Sequence, residues 1–241
     1  MLLLPLLLAC PKSRVQKDEQ LAAALAAIDA AWVVRATKGF QPVAEAVEAA
    51  RAIAPEAPGL AWREVRLGVA RGLMEPDATK RVRTFADARE RGWECVLADP
   101  RVSALRLEVS LTEALAEVPE ERRACASWAA LAWMRWAADF GLAASALDET
   151  RVDALLEVPA TADGKPAWRW AGALASLWDE RRDGEPGTAL RALSRASDDP
   201  SEGAVWVDLH VLADGEPPAL TKKTPASPEA RAYQERILAD R

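Results

Sequence analysis

The sequence predicts an all-α protein of stacked helical hairpins, about eleven helices in all, and three observations predict it. Apolar residues recur at helical spacing in one segment after another. Helix-starting and helix-stopping residues punctuate the chain at short intervals, and no segment alternates apolar and polar residues long enough for a strand. The third observation is residues 124–138, ACASWAALAWMRWAA, where thirteen of fifteen residues are apolar and only Ser127 and Arg135 interrupt. At 100° per residue, Trp128, Trp133 and Trp136 fall within an arc of about 140°. A helix apolar nearly all round belongs inside a protein. It is too short to cross a membrane, which takes about 20 such residues. It is expected to be a central buried helix, with alanines letting neighbours approach and indoles filling the gaps.

The first helix is expected from Asp18, with Leu21, Leu25, Ile28 and Trp32 on one face and Gly39 as its end. Pro42 opens the second, with Val43, Val47 and Ala50 on one side, which stops before Pro55. Residues 58–74 form a third, through Trp62, Val65 and Val69. The segment Glu75-Pro76-Asp77 starts a long fourth helix through Val82, Phe85, Ala88 and Val96, ending at Asp99-Pro100, because proline disfavours helical geometry in the residue before it. Residues 103–117 are the expected fifth helix. Pro119 begins the Trp-rich sixth, with Glu120 and Glu121 in the first turn, where acids suit the helix dipole, and Gly141 closes it. Helices over 146–157, 166–180 and 188–196 follow, the second carrying Trp168, Trp170, Leu174 and Trp178. The last two are a helix through Trp206, Leu209 and Leu212 behind a capping-box-like Asp199-Pro200-Ser201-Glu202, and one launched by Ser227 and Pro228 with Tyr233 and Ile237 inward.

A chain of 241 residues can bury a sizeable core as one domain or one repeat array. Half of its residues are apolar and 28% are charged, a globular composition. The net charge of −6 and the absence of a long Lys/Arg run argue against a nucleic-acid partner. There is one histidine, His210, on an apolar helix with no metal-ligand spacing around it. It reads as structural, and neither a metal site nor a cofactor is expected. Glu64, Glu94 and Glu180 could each serve as a helical acid catalyst, but no active-site motif accompanies any of them. Solvated or salt-bridged glutamate is the better reading, and no catalytic constellation is found. The mixed run Lys80, Arg81, Arg83, Asp87, Arg89, Glu90, Arg91, Glu94 reads as the outer face of a long helix carrying ion pairs.

The N-terminus gives a cellular address. In MLLLPLLLAC an apolar run ends in Leu7-Leu8-Ala9-Cys10, which resembles the bacterial lipobox. That resemblance implies a signal peptide over residues 1–9 and lipidation of Cys10, with residues 10–17 as a polar tether and 18–241 as the helical domain. Acyl chains add about 0.8 kcal/mol per buried CH₂, enough in combination to hold the domain at a bilayer. Pro11 rather than aspartate after the cysteine points to the outer membrane. Of the other two cysteines, Cys95 and Cys125, both sit in helical patterns where a buried thiol behaves as a small hydrophobe. Two reduced thiols are expected, although an oxidising periplasm permits a bridge.

Ala-Trp pairs at 31–32, 61–62, 132–133 and 167–168 are spaced by 30, 71 and 35 residues, close to one, two and one periods of the tetratricopeptide repeat. Ala27, Ala30, Ala31, Val34, Val43, Val47, Ala50 and Pro55 fit the small-and-large scheme of one such unit, so degenerate hairpin repeats are expected. Taken with the lipobox, the segments LAAALAAIDAAW, FADARERGWECVLADP, CASWAALAWMRWAADFG and SALDETRVDALLEV resemble the T component of TRAP transporter systems, a family of periplasmic tetratricopeptide-type lipoproteins. The resemblance implies a lipid-tethered α-helical domain, a homotrimer in some forms. It also implies a periplasmic solute-binding protein as partner, and a role in passing a small organic ligand towards a membrane transporter. Only Cys10 is carried over as a functional position. The tryptophans Trp128, Trp133, Trp136, Trp168 and Trp170 are candidates for a ligand pocket or, more simply, for core packing. A generic scaffold that holds an envelope complex through a peptide groove is the alternative.

Overall fold

Residues 11–140, 142–158, 169–182, 205, 207–209 and 228–239 are described by the structure, a computed structural model. Nearly all of them are helical and none lies in a strand, so the protein is all-α.

In chain order the helices are α1 (Pro11–Val33), α2 (Arg35–Lys38), α3 (Gln41–Ile53), α4 (Pro58–Met74), α5 (Ala78–Leu97), α6 (Pro100–Leu105), α7 (Leu111–Ala116), α8 (Glu120–Phe140), α9 (Leu142–Glu157), α10 (Arg169–Arg182) and α11 (Pro228–Ala239). Residues 205 and 207–209 are helical as well. Residues 11–17, read above as a tether, continue α1. The expected helix over 188–196 lies outside the described residues.

The punctuation has visible causes. Gly39, with φ 74°, closes α2 by donating its N–H to the carbonyl of Arg35, a backbone geometry that a side chain would strain. Prolines sit in the first turns of α3, α4 and α6, where their missing N–H costs nothing. Asp77 caps α5 by accepting the Lys80 N–H at 2.9 Å.

The expected single helix over 103–117 is two. Pro100 does not merely end α5; it starts α6, whose cap Asp99 accepts from the N–H groups of Arg101 and Val102. Ser110 then caps α7 in a full capping box, exchanging hydrogen bonds with Glu113. The Ser110-x-x-Glu113 signal lies in the middle of the segment, and a new helix start there forces a break before it.

The interior divides into two apolar clusters with α4 between them. Leu60, Leu67 and Ala70 of α4 join Ile28, Trp32, Val43, Val47 and Ala50 of α1 and α3. Val65, Val69 and Leu73, on the other side of α4, join α5, α8, α9 and α10 in the larger cluster. In α8 every residue from Cys125 to Arg135 is buried, as the all-round apolar pattern requires. None of the described helices is long and apolar enough to cross a membrane.

Small residues let α5 reach its neighbours. A Cβ built on Gly92 would lie 2.6 Å from the Cβ of Ala129 in α8, so a glycine is needed where these helices cross. Three residues beyond Gly92, Cys95 is bonded to Cys125 of α8 across a sequence separation of 30. The expectation of two reduced thiols is thus corrected. The helical pattern had placed both sulfurs in the core but not on facing turns of adjacent helices, which is what brings their Cα atoms within 6.2 Å.

Candidate functional site

An open concavity lies on the face made by α3, α4 and α5. It is a cleft of about 600 Å³. Its lining is almost wholly charged or small: Arg51, Glu64, Gly68, Arg71, Thr84, Asp87 and Arg91 are among the residues that border it. Two side pockets of about 250 and 160 Å³ share residues with it. One extends past Arg91 to Glu94 and Arg122, the other past Arg51 to Val47 and Leu67.

The helix periodicity explains how the lining is assembled. Glu64, Gly68 and Arg71 stand at i, i+4 and i+7 on α4 and so share one face. On α5, Thr84, Asp87, Ala88 and Arg91 do the same. The two faces meet because a Cβ on Gly68 would come within 2.9 Å of the Ala88 Cβ, which leaves a shallow floor between charged walls.

Glu64 organises one end. Its Oε1 accepts from Nε of Arg51 at 2.9 Å and lies 2.8 Å from Nη2, while its Oε2 accepts from Nε of Arg91 at 2.6 Å. The Glu64 side chain is only 6% exposed, so three helices are joined by a carboxylate shielded from water. Its hydrogen bond to Arg51 outweighs the burial of that guanidinium and raises its pKa above the ordinary arginine value. The sequence-level reading of Glu64 as a salt-bridged glutamate describes what the fold does with it.

Two arginine–aromatic clusters flank the cleft without bordering it. In the first, the guanidiniums of Arg35 and Arg66 lie 3.9 and 4.0 Å from the Trp32 ring centroid, and Asp29 accepts from Arg63 and Arg66. Burial opposes the charge on Asp29, but the hydrogen bond and charge of Arg63, helped by Arg66, hold its carboxyl below the usual carboxylate range. In the second, Arg89 lies 3.6 Å from the Trp136 centroid, and Asp148 accepts the Trp133 indole N–H at 2.9 Å.

A third polar group is deep in the molecule. Arg135 of α8 lies 3.5 Å from Asp208 and 3.3 Å from Asp139, and the Tyr233 hydroxyl of α11 donates to Asp208. Asp208 is fully buried, and that burial pushes its pKa up. Burial and the neighbouring Asp208 likewise push the Tyr233 hydroxyl well above its ordinary value. This network ties the end of the chain to the central helix and has no opening onto the cleft.

The fold scatters the candidate residues of the sequence. Trp128, Trp133 and Trp170 are buried, with Trp128 and Trp170 edge to face at 4.8 Å. Trp136 is half-buried and stacks on Phe140 at 5.1 Å. None of these four borders the cleft. Cys10, Trp168 and His210 lie outside the described residues. Among the described residues no three His, Cys, Asp or Glu side chains come together as a metal site. The cleft arginines Arg51 and Arg71 were not singled out by sequence. Their only signal was the shared face of Glu64 and Arg71 on α4, and that acquires meaning once α3 and α5 are seen to pack beside it.

What the cleft can do chemically follows from its lining. Guanidiniums and carboxylates can hold charged or hydrogen-bonding groups, and the single hydroxyl, Thr84, is already donating to the Lys80 carbonyl at 2.9 Å. The chain matches no protein-family model and no characterised protein.

Proposed function

We propose that this chain is a non-catalytic cell-envelope lipoprotein that binds a partner protein across the α3–α5 face, as an accessory in TRAP-type solute uptake. The observation that carries the binding role is the open cleft, where Glu64 of α4 holds Arg51 and Arg91 of the two neighbouring helices in place. Such fixed charges favour recognition because little side-chain freedom is lost on binding. The reading is of a binding protein and not of an enzyme.

Two independent features support the address. The lipobox-like LLAC ends in Cys10, the residue that a lipid anchor would modify. The Cys95–Cys125 disulfide belongs to an oxidising compartment such as the periplasm and is rare in a reducing one. A domain tethered at the outer membrane and facing the periplasm accounts for both. The transport role, the solute-binding receptor as partner, a small organic ligand and a trimeric assembly come from the resemblance to the TRAP T component. A second reading, a scaffold of another envelope complex, is favoured by one observation. Charged side chains line the cleft and two further pockets share residues with it, which suits an extended peptide, and of the tryptophans that would line an apolar ligand channel Trp128, Trp133 and Trp170 are packed in the core.

The test is a pull-down from envelope extract with the protein from residue 11 onward as bait, read by mass spectrometry. Reproducible recovery of a periplasmic solute-binding protein supports the transport reading. Recovery of cell-wall or assembly proteins in its place replaces transport with the scaffold reading.

A further inference from the structure

Three arginines and three carboxylates line the cleft, and the ones left unpaired say what it takes. Gly68 faces Ala88, and Gly72 faces Phe85, so α4 and α5 run antiparallel and each level of one can be matched to the other. Glu64 pairs with Arg91 at one end, and Arg51 completes that cluster. Towards the other end stands Arg71, level with Thr84, and on the α5 wall stands Asp87. Arg71, Asp87 and Glu56 are exposed and border the same cleft. Among the described residues none of the three makes an ion pair, although Arg51, Arg63, Arg81, Arg89 and Arg91 of the same helices all do.

A surface that pairs most of its arginines yet leaves one cation and two anions bordering one concavity is complementary to a ligand carrying both charges. The open shape and the two connected side pockets suit an extended chain better than a compact molecule, which an open cleft would leave largely in water. We infer that the cleft takes an extended segment of a partner protein, with a carboxylate of that segment against Arg71 and a basic side chain against Asp87. A guanidinium binds a carboxylate through two parallel hydrogen bonds, so Arg71 fixes the register while Asp87 selects for a nearby cation. This deepens the reading of the cleft as a partner surface and rests on it, but not on the transport role.

The experiment selects dodecapeptides from a randomised phage-displayed library on the protein from residue 11 onward. The isolated peptides are then titrated against wild type, Arg71→Glu and the off-cleft control Arg83→Glu, each checked for folding by circular dichroism. The expected result is enrichment of segments holding an acidic and a basic residue. Affinity falls at least ~10-fold in Arg71→Glu, is unchanged in Arg83→Glu, and returns in part when the peptide's acid is changed to lysine. Unchanged affinity in Arg71→Glu overturns the inference. So does failure to enrich charged segments. Arg71-dependent binding of free glutamate or succinate as tight as that of the peptides also overturns it, because the ligand is then a small anion. If the peptides behave as expected but envelope pull-downs yield no partner, the proposed transport role falls and the groove stands. If a solute receptor is recovered equally by Arg71→Glu, the role stands and the groove assignment falls.

Discussion

Several buried or half-buried arginines of this protein are held by an acid, by an aromatic ring, or by both. The Asp29 cluster gives a pH signature. Because the carboxyl of Asp29 lies below its ordinary value of 3.8, the folded protein binds that proton more weakly than the unfolded chain does. Its contribution is therefore fully present above that ordinary value and is lost as pH falls through the folded one. Urea unfolding should find Asp29→Asn less stable than wild type near neutral pH, with the gap closing below about pH 4. A gap unchanged down to about pH 3 contradicts the pairing. The side chain is 44% exposed, so solvent screening keeps this effect modest. At this scale the sequence was legible where composition alone decides. The buried tryptophans of α8 follow from an all-apolar helix. The partners of Glu64 and Asp29 were not legible, since they lie 13 to 37 residues away along the chain and depend on which helices pair.

Helix identity was read well because caps, prolines and glycine act locally; helix pairing was not, because it depends on shape. The α5–α8 contact illustrates the difference. Both helices were expected from their periodicity, but nothing local to either states that Gly92 faces Ala129 or that Cys95 faces Cys125. Two predictions belong here. Replacing Gly92 by alanine gains up to about 1 kcal/mol of helix propensity but drives a methyl into Ala129. Overpacking costs about 1–3 kcal/mol where backbone must shift, so the net is a loss. A lowered denaturation midpoint is expected, and an unchanged or raised one would show that the helices can separate freely. Opening the disulfide as Cys95→Ser with Cys125→Ser releases a loop of about 30 residues. Chain entropy then predicts a loss of about 3–4 kcal/mol in the same assay. Equal stability with and without the bridge would remove the redox argument for an extracytoplasmic address.

For the whole molecule, α4 is the shared wall. One side completes the α1–α3 core, the other the larger core around α8, and the edge between them carries Glu64, Gly68 and Arg71. The cleft is thus built on a helix packed from two sides, which suits a surface that must keep its charges in place. This surface is the one proposed to meet a partner protein of the cell envelope. A photo-crosslinking residue at Thr84, inside the cleft, and a second at Arg106, exposed and outside it, test this in the full-length protein in cells. A discrete adduct to a periplasmic solute-binding protein from position 84 and none from position 106 is the predicted result. Equal labelling from both positions, or no adduct from position 84, would contradict it.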